Sequence, residues 1–519
     1  MSRTTRRELL QHTGALGLGA LFLPQAGRVV REQQAASQIP PGVILETIKA
    51  GGLSHYSYFL ADEKAGVAVV IDPRRDVQPY LDLAQQHGVE IVAALETHVH
   101  ADFVSGAREL AAQSPKTKIA ASQEGGTTYG FPIDRLLRDG DEISVGDLVL
   151  KAIHTPGHTP EHLSYLALTA DKQPWALFTG DFLFVGSVGR PDLMGVQNTG
   201  PLAKALYRSV QHAFEKLPDR LTIYPAHGPG SPCGAGIQAP DGDPTLGQER
   251  QGNPYWRMND EAVFTESLLV AQPPVPYYWP RMKQINAAGP RVIGKQLPIE
   301  MLKPKAFHDY VQQNDAQLLD TRSMQAYAGG AIPGAINIGY NEVLSLWGGW
   351  VLDPERPIAI VKPAQGSFTS PIAWLARTGF LNVAVGLDGD MKSWVNQGLP
   401  FDSFATMSVH QVKQTFPTDQ MQLLDVRQPA EWDKGHLPGA QYLFLPEIPK
   451  RLNELDRQRP IAVYCGNGYR ASIATSMLRN AGFQACSVPG SWDAWVAAGY
   501  PIVKPKVPGK ASVTRRTTA

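Results

Sequence analysis

The stretch Thr97-His98-Val99-His100-Ala101-Asp102-Phe103 decides how the N-terminal half of this chain is read. It follows an apolar run at 91–95, which reads as a buried strand, and precedes residues 103–113, which read as a helix. His98, His100 and Asp102 thus stand at alternate positions on a strand-to-helix turn, where a scaffold can present metal ligands rigidly. Three more apolar runs end in a potential ligand. The run at 148–153 leads to His154 and His158, that at 175–178 to Asp181, and that at 221–224 to His227. A single buried histidine is more often structural than a ligand. Four strands delivering imidazole or carboxylate to one sheet edge predict a metal site.

Working outward, residues 42–270 alternate short apolar runs (67–71, 91–95, 148–153, 163–168, 175–178, 221–224) with helical segments (77–87, 103–113, 201–217). The last begins at Pro201, a residue suited to a first helical turn. This is an α/β pattern. Residues 272–294 are rich in Pro, Gly and aromatics and read as a linker or wrapping loop, with the linker as a whole spanning 271–302. The remainder is an internal repeat. Leu318-Leu319-Asp320-Thr321-Arg322 recurs as Leu423-Leu424-Asp425-Val426-Arg427, and Gly330-Ala331-Ile332-Pro333-Gly334-Ala335 as Gly435-His436-Leu437-Pro438-Gly439-Ala440. Trp394 and Gly398 are matched by Trp495 and Gly499. Two α/β copies are expected, at 303–402 and 403–505, followed by a tail at 506–519.

At 519 residues the chain is too long for one ordinary domain. Hydrophobic residues are 43% and charged residues 18%, which fits globular cores. A formal net charge of zero argues against nucleic acid or anionic membrane as a partner held by bulk charge. Three cysteines, Cys233, Cys465 and Cys486, cannot make a disulfide framework, and the odd count leaves a free thiol. Thr5-Arg6-Arg7-Glu8-Leu9-Leu10, followed by an apolar stretch at 14–23, resembles a twin-arginine export signal in a leader over 1–37. That predicts a periplasmic protein. The apolar stretch is too short to span a bilayer and no other reaches that length, so stable membrane insertion is not expected. A homo-oligomer is left open.

The ligand motifs carry a resemblance. His-x-His-x-Asp at 98–102, Pro156-Gly157-His158-Thr159, Gly180-Asp181 and His227 together resemble the metallo-β-lactamase superfamily, which implies an αββα sandwich with the metal between sheet edges. Two-metal hydrolases of that superfamily place a histidine directly after the Asp, and here Phe103 stands there. A benzene ring cannot replace an imidazole ligand, which favours one metal, held by His98, His158 and Asp181. Two imidazoles and one carboxylate with open positions suit non-haem Fe(II) and oxygen chemistry. Gly180-Asp181 followed by Gly189-Arg190-Pro191-Asp192 resembles the persulfide dioxygenases of this fold, in which those three motif positions hold the iron. His100, Asp102 and His227 are then expected to orient ligands or hold water. Arg190 is a candidate anchor for an anionic substrate, with Tyr224 and Cys233 as pocket residues. The alternatives are a surface ion pair for Arg190, a packed core ring for Tyr224 and a small buried residue for Cys233. His154 and His162 are expected to be structural.

A second constellation is Val463-Tyr464-Cys465-Gly466-Asn467-Gly468-Tyr469-Arg470-Ala471-Ser472. A strand ends at Cys465, and a Gly-containing loop then enters a helical stretch at 471–481. Backbone N–H groups of such a loop make an anion nest, and the helix N-terminus favours a thiolate. Arg470 adds positive charge. With the repeat motifs around it, this loop resembles a rhodanese domain, which implies sulfane-sulfur transfer through Cys465. The first copy carries Lys362 where Cys465 stands, so it is expected to be catalytically dead. Cys486 is expected on a buried strand. The combined expectation is oxidation of a small-molecule persulfide by dioxygen at one Fe(II), giving sulfite, coupled through Cys465 to or from thiosulfate. The rivals are a zinc thioesterase of the glyoxalase II type and a non-catalytic sulfur carrier.

Overall fold

A computed structural model describes residues 39–234, 244–270, 272–294, 297 and 299–504. The twin-arginine motif, the leader at 1–37 and the tail at 506–519 lie outside the described residues.

Six strands form the first sheet in chain order: Val43–Ala50, His55–Asp62, Val67–Ile71, Glu90–Leu95, Lys118–Ser122 and Arg135–Leu137. The second sheet has the spatial order Thr222–Pro225, Pro174–Gly180, Leu163–Leu168, Leu148–His154, Glu142–Val145. Period-two alternation fixes which side chains point inward: Leu148, Leu150 and Ala152 are buried while Val149 and Lys151 are less so. Facing residues of both sheets, among them Leu60, Leu95, Leu150, Tyr165 and Phe178, fill the space between them. Each such side chain contributes about 1.5–3 kcal/mol by leaving water. Helices Gln78–His87 and Ala107–Gln113 cover the outer face of the first sheet, and Val196–His212 and Glu261–Val270 that of the second. The result is the expected αββα sandwich.

The two C-terminal copies are all-parallel sheets. The first has the order Glu300–Leu302, Val383–Leu387, Ile358–Val361, Gln317–Asp320, Ile336–Asn337, and the second Ala440–Tyr442, Gln422–Asp425, Ile461–Tyr464, Ala485–Ser487. The repeated Asp-x-Arg motif has one cause in both. The guanidinium of Arg322 folds back on Asp320 and donates to Gly330 O, and Arg427 does the same with Asp425 and Gly435 O. The repeated tryptophans are also equivalent: Trp394 Nε1 donates to Pro400 O and Trp495 Nε1 to Pro501 O, each at 2.9 Å. Leu319, Ile338 and Leu375 of one copy join Leu424, Leu445 and Ile473 of the other in a single apolar core.

Three expectations need correction. The helix after the metal turn starts at Ala107, because the intervening turn is tied elsewhere: Ser105 N donates to Asn286 Oδ1 at 2.9 Å, and Ser105 Oγ accepts from Ala107 N at 3.0 Å. Pro201 lies inside helix Val196–His212 instead of opening it. Gly195, at φ +88°, turns the chain in earlier, and Pro201 forfeits one intrahelical bond. The expected linker contains helix Trp279–Ala288, whose Trp279, Met282 and Asn286 are buried. Asn286 Nδ2 donates to His100 O and Phe103 O at 2.8 and 2.7 Å, so this segment is part of the metal turn's support.

Candidate metal centre and thiol loop

His98 stands just beyond strand Glu90–Leu95, and Thr97 fixes its tautomer. Thr97 Oγ1 donates to Asp72 Oδ2 at 2.9 Å, so it can only accept from His98 Nδ1, also at 2.9 Å. That leaves His98 Nε2 with a free lone pair. His158 is set the same way, its Nδ1 donating to Arg190 O at 2.9 Å. Asp181 follows strand Pro174–Gly180, and its backbone N–H donates to His162 Nε2 at 3.0 Å. The three donors converge: Asp181 Oδ2 is 3.8 Å from His98 Nε2 and 3.4 Å from His158 Nε2. All three residues are buried, and neither His98 Nε2 nor Asp181 Oδ2 has a hydrogen-bond partner. Burial, then the neighbouring imidazoles, hold His98 and His158 well below the usual histidine range, so both are neutral ligands. A buried imidazole lone pair and a buried carboxylate oxygen with nothing to bind, beside a second neutral imidazole, fit a divalent cation.

His227 bridges two carboxylates beside the donor group. His227 Nδ1 lies 2.6 Å from Asp181 Oδ1 and its Nε2 2.8 Å from Asp102 Oδ2. Burial opposes charge on this ring, but Asp181 and Asp102 push it up to about 10, so it is an imidazolium holding both carboxylates. His100 turns away from the donor group. Its Nε2 is 3.1 Å from Asp72 Oδ1 and 3.2 Å from Glu96 Oε2. Burial again opposes charge, and the two carboxylates raise this histidine well above its usual range. Phe103 is fully buried, its ring 4.0 Å from that of His55 and 4.4 Å from that of His100. His154 Nε2 bonds to Pro160 O and His162 Nδ1 to Thr155 Oγ1, both at 2.8 Å, so both are structural.

Among the expected pocket residues, Arg190 and Tyr224 need correction. Arg190 is buried, and its guanidinium is consumed by Asp192, Pro232 O and Pro273 O at 2.7–2.9 Å. It pins loops together and has no fork left for a substrate anion. Tyr224 packs between the sheets, its ring 5.2 Å from Phe178 and 5.5 Å from Tyr58. Cys233 does come to the site: it is buried within one cluster with Asp102 and His227. Burial, then the Asp102 and Asp181 carboxylates, push its thiol up.

Sequence reasoning missed Asp72 and Glu96, which lie on no ligand motif, and His55, a fully buried imidazole unpartnered at both nitrogens. It also missed Tyr278 and Trp279. With Asp102, Pro232 and Leu346 of the first repeat, they line a small enclosed pocket beside the metal cluster. Tyr278 Oη, Trp279 Nε1 and Asp102 Oδ1 are buried without a hydrogen bond of good geometry, and burial, then the Asp102 carboxylate, pushes the Tyr278 phenol well above its usual range. The only hint was the aromatic run in the presumed linker.

The thiol loop is built as its sequence implies. Cys465 is buried at the end of strand Ile461–Tyr464, Gly468 N donates to its Sγ at 3.2 Å, and helix Tyr469–Asn480 starts directly behind. Arg470 is not a free cation. It pairs with Glu431 through both terminal nitrogens at 2.5 and 2.8 Å, a partner not anticipated from sequence. Lys362, at the equivalent place in the first copy, sits 5.5 Å from the Phe368 ring, and its loop has no thiol. Cys486 lies on strand Ala485–Ser487 as expected, but half-buried.

Comparison with known proteins agrees with this geometry. The metallo-beta-lactamase superfamily model matches residues 50–227, and the rhodanese-like domain model matches 303–397 and 408–498. The persulfide dioxygenase ETHE1 of Mus musculus is 33% identical over 207 residues, covering 39% of this chain and 74% of that protein. A hydroxyacylglutathione hydrolase of Polaromonas sp. is 35% identical over 187 residues, 36% of this chain and 66% of that one. The crystal structure of a metallo-beta-lactamase from Staphylococcus aureus subsp. aureus COL superposes with a TM-score of 0.59 at 32% identity, over 67% of this chain and 99% of that chain. With donors, thiol loop and repeats all in place, the chain belongs to the metallo-beta-lactamase superfamily, in the company of persulfide dioxygenase homologues, and carries two rhodanese-like domains behind that fold.

Proposed function

We propose that this protein oxidises a low-molecular-weight persulfide with dioxygen at a single Fe(II) and exchanges sulfane sulfur through Cys465. The observation that carries the reading is the cluster of His98, His158 and Asp181, two neutral imidazoles and one carboxylate, in which His98 Nε2 and Asp181 Oδ2 are buried without a hydrogen-bond partner. Bound there, Fe(II) supplies open positions for dioxygen and a sulfur ligand. The balance is R-S-SH + O2 + H2O → R-SH + sulfite + two protons. The terminal sulfur loses four electrons to dioxygen, and R-S leaves as the thiol.

The chain's own residues do the rest. Thr97 and Arg190 O orient the two imidazoles, and His227 holds Asp181 and Asp102 in register. Tyr278, Trp279 and Leu346 line a small pocket that Asp102 shares. At the second site, a persulfide on Cys465 is attacked at its outer sulfur by sulfite. The S–S bond breaks, thiosulfate leaves, and the Cys465 thiolate that remains is stabilised by Gly468 N–H. The reverse step, from thiosulfate, uses the same groups.

The test is metal analysis with oxygen uptake. Iron near one per chain and persulfide-dependent oxygen consumption support the reading. Two zinc ions and ester cleavage would support the hydrolase instead, a rival favoured by the hydroxyacylglutathione hydrolase relative. A Cys465→Ser variant should consume oxygen and release sulfite in place of thiosulfate; unchanged thiosulfate output rules out the role of Cys465. We also propose twin-arginine export from the motif at 5–10. A shortened chain in the periplasmic fraction is expected, and a full-length cytoplasmic chain alone would overturn export.

A further inference from the structure

The helix behind Cys465 is gripped along one side by the repeat that has no cysteine. Tyr469 Oη donates to Gly339 O at 2.8 Å. Ser472 Oγ donates to Asn337 Oδ1, and Ser476 Oγ accepts from Asn337 N at 3.1 Å. Asn480 Nδ2 donates to Gly334 O and Ala335 O at 3.1 and 3.2 Å. Steps of three and four residues put 469, 472, 476 and 480 on one helical stripe. Every partner falls within residues 334–339.

Asn337 is the centre of this clamp. It is buried, and its Nδ2 donates to Asp320 O and Arg322 O at 2.9 Å each, so its amide is anchored to the end of a central strand. Met324 of the same repeat approaches the thiol loop itself: a Cβ on Gly468 would come 3.2 Å from Met324 Cε. The contact made to Cys465 Sγ is that of the Gly468 amide at 3.2 Å, one residue before helix Tyr469–Asn480 begins. A small shift of the helix would therefore cost much of it.

We propose that Asn337 is a positioning residue for the Cys465 thiol, and that holding this helix in register is the task of the cysteine-less repeat. The inference rests on the reading of Cys465 as the sulfur-transfer thiol, but its test reads the thiol directly. The full chain carrying Asn337→Leu keeps side-chain size and loses every side-chain bond. Cys465 alkylation by iodoacetamide, followed by peptide mass spectrometry across pH, gives the reactivity of the thiol.

The rate of Cys465 alkylation at pH 7 should fall about three- to tenfold, the effect of losing one or two hydrogen bonds that hold the Gly468 amide on the sulfur. Turnover of thiosulfate should fall in step with little change in KM. Should Asn337→Leu not fold, Ser472→Ala with Ser476→Ala removes both bonds that the helix makes to Asn337, one to its side chain and one to its backbone N–H, while favouring helix. Ser472→Thr, which keeps the hydroxyl, should restore the wild-type profile. An alkylation profile unchanged in a folded variant overturns the proposal. A changed profile in a chain with no sulfurtransferase activity keeps it and removes only the function assigned to Cys465.

Discussion

Replacing Arg377 by alanine should loosen the first repeat from the metal domain. This guanidinium is only 2% exposed and donates to both oxygens of Asp76 at 2.8 Å and to Glu342 Oε2 at 3.1 Å. Glu342 Oε2 also accepts from Gly51 N at 2.7 Å, and Arg377 O accepts from Val104 N at 2.7 Å, beside the metal turn. Breaking a buried pair costs about 3–5 kcal/mol because a desolvated charge loses its partner. Here the low end applies. The Asp76 and Glu342 side chains are 21% and 39% exposed, so water takes over part of their solvation, and Asp76 keeps Arg74 at 3.0 Å. With a urea slope of about 3 kcal/mol/M, a loss of about 3 kcal/mol moves the midpoint of that transition down by about 1 M. In a multidomain chain the transition should also split, because the coupling between domains is what was removed. Arg377→Lys keeps the charge without the planar fork and should fall between. The assay is urea unfolding followed by tryptophan fluorescence. A single transition with a midpoint within about 0.2 M of wild type refutes the reasoning.

Asp102→Asn should leave all three donors in place yet weaken metal binding about 10–100-fold, since His227 loses a carboxylate and with it the hold on Asp181; competition with a chelator measures it, and wild-type affinity would refute it. Phe103→His restores the donor that two-metal relatives place there, so elemental analysis should find more than one metal per chain; a ratio fixed at one would mean that Phe103 does not set the stoichiometry. Burial pushes the Cys486 thiol up to about 11, so at pH 8 it is thiolate in about one molecule in a thousand. Its alkylation in the folded chain should climb tenfold per pH unit and reach half-maximum near pH 11, and rapid labelling at pH 8 would contradict that burial.

The αββα layers, the two copies and the donors at positions 98, 158 and 181 were legible because each rests on local pattern: strand periodicity, repeated motifs, ligands at strand ends. What stayed hidden depends on contacts between distant residues. Arg190 sits in a motif and reads as an anion anchor, but its fork is filled by Asp192 and by carbonyls from positions 232 and 273. Glu431 takes up the charge of Arg470 from 39 residues away. The segment at 272–294 reads as a linker because Pro and aromatics interrupt its periodicity. Its function lies in single buried residues, Asn286 under the metal turn and Trp279 beside it, and these leave no period to detect.

The repeat recurs in docking as well as in fold. The 103-residue offset that relates Pro357 to Pro460 also relates Gly379 to Gly482, Phe380 to Phe483 and Arg377 to Asn480. Arg377 ends helix Thr369–Arg377 and reaches back to Asp76 of the metal domain. Asn480 ends the equivalent helix and reaches back to Gly334 and Ala335 of the first copy. Each copy thus uses the end of the same helix to bind the domain that precedes it. In the second copy that helix follows the loop that carries Cys465; in the first it follows a loop with no thiol. The first copy therefore docks on both sides, through the end of helix Thr369–Arg377 to the metal domain and through residues 334–339 to the helix behind Cys465.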